Sequence, residues 1–306
     1  MPVLRIKKIG YKLDQSPFYC LQSKAKLATL LGVSRSRLIQ LARSESLYIE
    51  KEIIHPRRKK SRLVEKPKYE LKLIQKRIEG LLKRIEIPKY IHAPTKGRSY
   101  VSNAKAHLNS YVISSLDIVK YFPSTKSKRV YWFFHTRMKC SPDVAAILTK
   151  LSTYKEHLPT GSPLSPILSY FAHIDMWEEI NNIVEDAGCI LTVYMDDVTI
   201  SGDYVSRNLI WQIKKKFHRY GLSSNTKKEK YYIGKNSRKI TGVILDFEKG
   251  VLKIPNRQHK KMYSIRKQIS KETHPDTYAH LMSKLKGLKS QVQQIHKANN
   301  TQTNEN

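Results

Sequence analysis

Apolar residues recur at helical spacing in some stretches of the chain and gather with β-branched residues in others, which predicts both helices and strands. Helical spacing predicts helices at residues 24–43, 69–84, 143–151, 165–186 and 209–220, the first stretch being two short helices. Residues 258–297 are predicted to be mostly helical. β-Rich runs predict strands at residues 61–64, 111–118, 190–193, 198–201, 231–233, 240–245 and 250–254. This alternation predicts an α+β core followed by a helical appendage.

The helix pair predicted within residues 24–43 has the outline of a helix-turn-helix. The two helices meet around Gly32, and Ser34 is placed to cap the second one. Such a pair occurs in DNA-binding regulators, but it is also a common way to pack two small helices. The pattern alone leaves both interpretations open.

The charge of the chain favours a polyanionic partner. Its 306 residues include 57 Lys+Arg and 25 Asp+Glu, which leaves a formal net charge of +32. Nucleic acid is the commonest partner for such an excess, and 18 Tyr side chains offer faces on which bases can stack. Solubility alone and binding to a membrane surface remain alternatives.

No apolar stretch reaches the length that spans a bilayer, and the basic N-terminus lacks the apolar run of a secretory signal. The three cysteines, Cys20, Cys140 and Cys189, are far apart in sequence and include no CxxC pair. We therefore expect a cytoplasmic protein without a disulfide framework.

Acidic residues inside apolar strands are the candidate catalytic groups. Asp117 ends a predicted strand, and Asp196 and Asp197 lie at the tip of a predicted hairpin. A buried carboxylate is costly unless it is paired or binds a metal, and carboxylate oxygens suit Mg²⁺. We expect Asp117 and Asp196 to be the main ligands, with Asp197 as support, since neighbouring side chains on a strand point to opposite faces. For an Asp-Asp pair taken alone, an ordinary turn would be the better explanation.

The Tyr-Met-Asp-Asp segment at 194–197, with β-rich runs on both sides, resembles the YxDD signature of reverse transcriptases. Further segments resemble motifs of bacterial reverse transcriptases in the same order, namely RLVEKPKYELKLIQ at 62–75, DIVKYFPS at 117–124, LPTGSPLSP at 158–166 and GLSSNTKK at 221–228. Two more segments resemble elements of retron reverse transcriptases, namely NAKAH at 103–107 (NAxxH) and ITG at 240–242 (VTG). The retron family is the favoured interpretation.

The resemblance implies a right-hand polymerase fold with fingers, palm and a small helical thumb. It divides the chain into an N-terminal helical segment (1–50), fingers (51–110), palm (111–245) and a basic thumb and tail (246–306). It also implies catalysis by Asp117, Asp196 and Asp197 with two Mg²⁺ ions, for which Mn²⁺ could substitute. The backbone carbonyl of Ile118 would be a further metal ligand.

The resemblance also implies nucleotide-binding residues. Arg62, with Lys60 nearby, would hold the triphosphate, and Phe122 would exclude a ribose 2′-OH. The other implied nucleotide-binding residues are Thr160, Gly161 and Lys228. Thr160 departs from the family, which usually has Gln there, and its shorter hydroxyl would act through water or backbone. Packing by Phe122 and solvated charge on the cations are the alternatives.

RNA contacts are implied for the two retron-type segments and for the basic end of the chain. The implied RNA-binding residues are Asn103, His107, Ile240, Thr241, Gly242, Arg257, Lys260 and Lys261. His107 is expected to touch RNA and not to transfer protons, although a histidine is more often a packing or surface residue.

We therefore expect a bacterial enzyme that copies part of its cognate non-coding RNA into single-stranded DNA branched from a guanosine 2′-OH. Its implied partners are that RNA and DNA product, deoxynucleotides, host RNase H and a separate effector protein (a nuclease, ATPase or other toxin) in anti-phage defence. The alternatives are another bacterial reverse transcriptase, such as a group II intron type, a non-catalytic RNA-binding scaffold with a palm fold, and a DNA-binding regulator.

Overall fold

The computed structural model describes residues 10–54, 61–234 and 236–300 and has the mixed helix and strand content that the sequence predicts. The helices are α1 (Lys24–Leu31), α2 (Arg35–Arg43), α3 (Tyr69–Leu82), α4 (Tyr100–Lys105), α5 (Tyr121–Ser124), α6 (Ser127–Trp132), α7 (Pro142–Ser152), α8 (Ser165–Ala172), α9 (Ile174–Asp186), α10 (Arg207–Arg219), α11 (Asn256–Ile269) and α12 (Pro275–Asn300). The strands are β1 (Tyr48–Ile54), β2 (Ser61–Pro67), β3 (Ile91–Ala93), β4 (Val112–Asp117), β5 (Ile190–Tyr194), β6 (Asp197–Gly202), β7 (Lys230–Ile233), β8 (Arg238–Ile240), β9 (Val243–Asp246) and β10 (Val251–Lys253). An α+β fold is confirmed.

The predicted N-terminal helix pair is confirmed, and local sequence explains its limits. The side chains of Ser23 and Ser34 accept hydrogen bonds from backbone amides in the first turns of α1 and α2. Gly32 ends α1 with a φ of 72°, a left-handed conformation that costs glycine little. On the inner faces of the two helices, the side chains of Leu27 and Leu38 are completely buried.

The chain divides into two compact units, and both are discontinuous in sequence. The first comprises Met1–Pro88, Ile118–Ile180 and Ile213–Ser224, and the second comprises Lys89–Asp117, Asn181–Gln212 and Asn225–Asn306. The division into four sequence segments stays a prediction.

Aromatic packing forms the core of the first unit. Its largest fully buried side chains are Phe18, Phe133, Phe134, Phe171, Trp177 and Phe217. The hydroxyl of Tyr121 donates to the carbonyl of Ser169 at 2.9 Å and accepts from the Trp177 indole at 3.2 Å, so these two buried polar side chains are paired. The antiparallel pair β1–β2 also belongs to this unit.

A five-stranded sheet with the order β3-β5-β6-β4-β7 organises the second unit. Its strands β5, β6, β4 and β7 are antiparallel to their neighbours, while β3 is parallel to β5. β4 lies between β6 and β7, and its apolar side chains Val112, Ile113 and Leu116 are buried. The sheet confirms the predicted hairpin and places its tip at the end of β4.

A second sheet, β10-β9-β8, supports the helical end of the chain. Apolar residues of α4, this sheet and α12 form one buried cluster. The side chain of Asn299 on α12 bonds the backbone amide and carbonyl of Leu252 at 2.9 and 3.0 Å, which fastens α12 to β10. Helices α11 and α12 bury a separate apolar seam that includes Met262, Ile265 and Leu285.

Two predicted elements were wrong in their extent. The single helix predicted at residues 165–186 is interrupted at His173, which leaves the helical region with φ −123° and ψ 25°. The strand predicted at 240–245 is broken by Thr241 and Gly242, whose φ values of 43° and 90° make a tight turn between β8 and β9. No described helix has both the length and the apolar character needed to cross a membrane.

Candidate active site

Three carboxylates meet where β4 ends and β6 begins, in the second unit. Asp117 and Asp197 are direct antiparallel partners, and Tyr194 pairs with Asp197 across the hairpin. Met195 and Asp196 form the two-residue loop between these strands. Cross-strand partners present their side chains on the same face, so the pairing brings the carboxylates of Asp117 and Asp197 together.

The loop holds a strained residue. Met195 has a φ of 61°, in the left-handed region where two-residue hairpins usually have glycine. A non-glycine residue there costs roughly 1 kcal/mol or more and persists only where the surrounding structure holds it. The hairpin therefore presents Asp196 and Asp197 from a constrained turn.

Negative charge is concentrated at this turn. Burial of its carboxylate, followed by the charges of Asp196 and Asp117, raises the pKa of Asp197 to about 6, although the residue as a whole is exposed. Asp117 is itself only 8% exposed. Because like charges held close together repel, a cation that binds between these carboxylates stabilises them electrostatically.

Lys228 supplies one such cation. Its ammonium donates to both carboxylate oxygens of Asp117 at 2.9 and 2.8 Å, and this bond raises the pKa of Lys228. A 3-10 helix, Thr226–Lys228, carries the lysine. That helix is attached to the end of β4 because the amide of Asn225 donates to the Asp117 carbonyl at 2.8 Å.

The residues fit a hard divalent cation by their chemistry. Mg²⁺ prefers oxygen ligands and is usually held by one or two carboxylates together with substrate phosphates. Within residues 10–54, 61–234 and 236–300, no three His, Cys, Asp or Glu side chains form a ready-made metal cage. Asp117, Asp196 and Asp197 offer carboxylate oxygens of the kind that such a cation prefers.

The structure places the His107 ring inside the protein, while its predicted RNA contact stays a prediction. Its ring is completely buried, and its two nitrogens lie 2.6 Å from Ser201 Oγ and 2.6 Å from Thr192 Oγ1. Burial lowers the pKa of His107 to about 3, so the ring is neutral at pH 7. Both ring nitrogens are therefore occupied by hydroxyl partners inside the protein.

The two retron-type segments contact each other. The Asn103 amide donates to Thr241 Oγ1 at 3.3 Å, and Thr241 Oγ1 donates to the Tyr100 carbonyl at 3.0 Å. Asn103 and Ile240 are buried, with 1% and 2% exposure. Thr241 and Gly242 are partly exposed in their turn, and RNA contacts by this group of residues stay a prediction.

In the first unit, Thr160 and Gly161 attach their loop to β2. Thr160 Oγ1 donates to the Leu63 carbonyl at 3.1 Å and accepts from the Glu65 amide at 3.2 Å. The Gly161 amide donates to the Glu65 carbonyl at 3.1 Å. The Thr160 hydroxyl therefore bonds backbone atoms, which is what a short side chain in place of Gln can reach.

The remaining predicted nucleotide-binding residues have accessible positions in the first unit. Arg62 lies exposed on β2 opposite Ile53, and Phe122 is half-buried on α5 with its ring stacked against Tyr121. Lys60 lies outside the described residues. In the second unit, Arg257, Lys260 and Lys261 are all exposed on α11.

Sequence reasoning missed the polar partners inside the hairpin. Thr192 and Ser201 are buried in otherwise apolar strands and bond His107, and Ser110 bonds Ser201 at 2.8 Å. Buried hydroxyls need partners, so these residues could have been noted as polar positions within β-rich runs.

Comparison with known proteins agrees with this geometry. Residues 49–245 match the family model described as reverse transcriptase (RNA-dependent DNA polymerase). This range contains the three carboxylates, Lys228 and the loop of Thr160 and Gly161 that is bonded to β2. The match and the mixed fold define the chain as a reverse transcriptase, which is an RNA-directed DNA polymerase.

Similar proteins show to which group of reverse transcriptases the chain belongs. The chain is 30% identical to the retron Se72 reverse transcriptase of Salmonella heidelberg (strain 579083-10) over 281 residues, 88% of this chain and 74% of that protein. It is 28% identical to the retron Ec86 reverse transcriptase of Escherichia coli, covering 62% of this chain and 60% of the relative. It is 26% identical to the retron Mx65 reverse transcriptase of Myxococcus xanthus, covering 74% and 58%. The chain belongs to the retron reverse transcriptases.

Proposed function

We propose that this enzyme copies part of its own structured non-coding RNA into a small single-stranded DNA that stays joined to the RNA at a guanosine 2′-OH. The observation that supports nucleotidyl transfer most directly is the meeting of Asp117, Asp196 and Asp197 beside the Lys228 ammonium. The branched product is proposed from membership of the retron family.

In this proposal, Asp117, Asp196, Asp197 and the carbonyl of Ile118 hold the metal ions. When bound, two Mg²⁺ ions would assist deprotonation of the attacking hydroxyl and stabilise the charge of the leaving pyrophosphate. The carboxylates supply oxygen ligands at positions fixed by the end of β4 and by the β5–β6 hairpin. The Lys228 ammonium offsets the negative charge that the carboxylates and a nucleotide triphosphate bring to the same place.

The first unit would bind the incoming nucleotide. Arg62 is exposed on β2, and its planar guanidinium suits phosphate oxygens. Thr160 and Gly161 hold their loop to the same strand, so they would act by fixing its position. Phe122 would place its ring against the sugar and exclude a 2′-OH. Lys60 remains part of this proposal on sequence alone.

The basic end of the second unit would grip RNA. The exposed cations Arg257, Lys260 and Lys261 lie within two turns of α11, where they can contact successive phosphates of a nucleic-acid backbone. The turn at Thr241 and Gly242 is the accessible part of the ITG segment. In terms of the right-hand fold, we assign α11 and α12 to the thumb and the five-stranded sheet to the palm.

We further propose that the enzyme acts in the bacterial cytoplasm in anti-phage defence with a separate effector protein. Host RNase H would remove the copied template. These partners are proposed because the relatives named above are retron enzymes. Their identity would be read from what co-purifies with the chain.

The catalytic assignment is tested by isosteric substitution. Asp196→Asn and Asp197→Asn should abolish DNA synthesis while leaving RNA binding nearly intact, because each removes a charged oxygen ligand without changing side-chain volume. Asp203→Asn is the matched control, since Asp203 is an exposed aspartate in the same unit just after β6. Synthesis at the wild-type rate by both hairpin variants would contradict the assignment.

The product is tested separately. Nucleic acid that co-purifies with the protein from its native host would be treated with RNase, DNase and a debranching enzyme. A discrete DNA attached to RNA through a debranchable 2′–5′ linkage is the expected result. RNA without DNA, from cells that express the locus, would favour the RNA-binding scaffold instead.

A further inference from the structure

A buried histidine joins the two strands that carry the catalytic hairpin. The His107 ring lies 2.6 Å from Thr192 Oγ1 on β5 and 2.6 Å from Ser201 Oγ on β6. Thr192 pairs with Thr199 and Ser201 pairs with Ile190 across the hairpin, so the ring contacts both strands on one face. It therefore bridges β5 and β6 from outside the sheet.

The bridge is a fully paired polar network in an apolar setting. A neutral imidazole donates from one nitrogen and accepts at the other, so one hydroxyl accepts from the ring and the other donates to it. Ser201 is completely buried and also bonds Ser110 Oγ at 2.8 Å. Because each hydroxyl has a directional partner, the network restrains the relative positions of both strands and not merely their separation.

The segment that carries His107 is itself anchored on a second side. Ahead of the histidine, Asn103 bonds Thr241 and the Lys105 ammonium bonds the Ala298 carbonyl at 2.9 Å. The apolar side chains of Val101, Ala104 and Leu108 are buried in the cluster that contains β8, β9 and α12. His107 thus projects from a fixed element, which makes its bond to the hairpin a rigid one.

We propose that His107 is a positioning residue for DNA synthesis, which holds β5 and β6 so that Asp196 and Asp197 keep their places opposite Asp117. This inference rests on the proposed catalytic role of that hairpin. It assigns the NAxxH-type segment a task inside the protein in place of the RNA contact that the family resemblance implied. Small displacements of reacting groups lower turnover strongly, so the effect should appear in kcat.

Three substitutions at this position separate the two bonds. His107→Asn retains a polar atom near the Nδ1 position and can still bond Ser201, while His107→Gln retains one near Nε2 and can still bond Thr192. His107→Leu retains neither. His173→Leu is the matched control, because His173 is equally buried but bonds the Ser169 carbonyl in the first unit.

Two measurements on the 306-residue chain test the proposal. The first is steady-state incorporation of dTTP on poly(rA)–oligo(dT) with Mg²⁺, which gives kcat and KM separately. The second is native-state hydrogen exchange of residues 190–202, which reports hairpin opening without requiring activity. We expect His107→Leu to lower kcat by about tenfold to a hundredfold with KM within about twofold, and to speed exchange in the hairpin.

The pattern across variants decides between positioning and general stability. His107→Asn and His107→Gln should recover part of kcat, and His173→Leu should leave kcat and hairpin exchange near wild-type values. Should His107→Leu fail to fold, Thr192→Val and Ser201→Ala remove the same bonds from the partner side and should lower kcat in the same way. Equal loss of kcat in His107→Leu and His173→Leu at equal loss of stability would overturn the proposal.

Different results would contradict the catalytic role of the hairpin aspartates and the positioning role of His107. If Asp196→Asn and Asp197→Asn retain wild-type synthesis, the catalytic assignment is wrong, and the kcat argument for His107 falls with it. If those variants are inactive while His107→Leu keeps full kcat and unchanged hairpin exchange, the positioning role alone is wrong.

Discussion

Replacing Gly161 by alanine should push the loop 158–162 away from β2. A Cβ atom built on Gly161 would lie 2.6 Å from the Glu65 carbonyl oxygen, 3.0 Å from the Glu65 carbonyl carbon and 3.0 Å from Val64 Cγ1. Two of these three atoms are backbone, so no side-chain rotation relieves the clash. Only a separation of the loop from the strand can.

The magnitude follows from that geometry. An ordinary carbon contact is about 3.5 Å or more, so the loop or the strand must move by nearly 1 Å. Such overpacking typically costs about 1–3 kcal/mol, and the displaced Gly161 amide also weakens its hydrogen bond to Glu65, worth roughly 1 kcal/mol. We expect a loss of about 2–4 kcal/mol in the free energy of unfolding, together with a raised KM for deoxynucleotides, because the same strand carries Arg62.

Urea unfolding and steady-state synthesis measure these two effects. Gly80→Ala is the matched control, since Gly80 lies inside α3 of the same unit with no atom within 4 Å of a built Cβ. Alanine is the better helix former, so Gly80→Ala should stabilise the chain by about 0.5–1 kcal/mol without changing KM. A Gly161→Ala enzyme with wild-type stability and wild-type KM would refute the steric argument.

Three further predictions concern charge, pH and sugar selection. Lys228→Met should lower DNA synthesis at least about tenfold while changing the free energy of unfolding by less than about 1 kcal/mol, because its bond to Asp117 is made by a largely exposed ammonium. Stability and synthesis rates measured together check this, and full activity would contradict it. Burial lowers the pKa of His107 and of His173 to about 3, so the unfolded chain takes up protons first as pH falls below about 6.5. Between pH 7.5 and 5.5, each ring should therefore remove about 1.4 kcal/mol of stability, and His107→Gln should remove one such contribution from urea titrations. Phe122→Ala should relax discrimination against ribonucleotides in single-nucleotide incorporation, and unchanged selectivity would exclude its role at the sugar.

Local signals predicted much of this fold. The N-cap serines and Gly32 define the N-terminal helix pair because capping and left-handed turns depend on neighbouring residues alone. The hairpin around 194–197 was also predictable, since two β-rich runs flank a two-residue loop. The elements that position the carboxylates therefore follow from short-range chemistry.

Breaks in helices and strands that tertiary packing imposes were harder to predict from the sequence. Helix α9 is separated from α8 at His173, and neither glycine nor proline marks that break. The buried ring of His173 packs 5.8 Å from the Tyr121 ring, a contact between residues far apart in sequence. The turn at Thr241 left a clearer sign, because Gly242 follows it and adopts a φ that favours glycine.

The histidine of the NAxxH-type segment shows that a motif can point to an important residue without showing which side chains bond it. Resemblance singled out His107, but the sequence did not show which atoms surround its ring. Those atoms belong to Thr192 and Ser201, which lie 85 and 94 residues further along the chain. Their hydroxyls interrupt strands otherwise built for burial, and a buried hydroxyl in a strand requires a partner from outside the backbone ladder. A buried imidazole requires two such partners. Polar residues in predicted buried strands can be matched with motif residues elsewhere in the chain that also need partners. Such matching would have paired His107 with Thr192 and Ser201 from the sequence, and it would have placed the NAxxH-type segment against the catalytic hairpin.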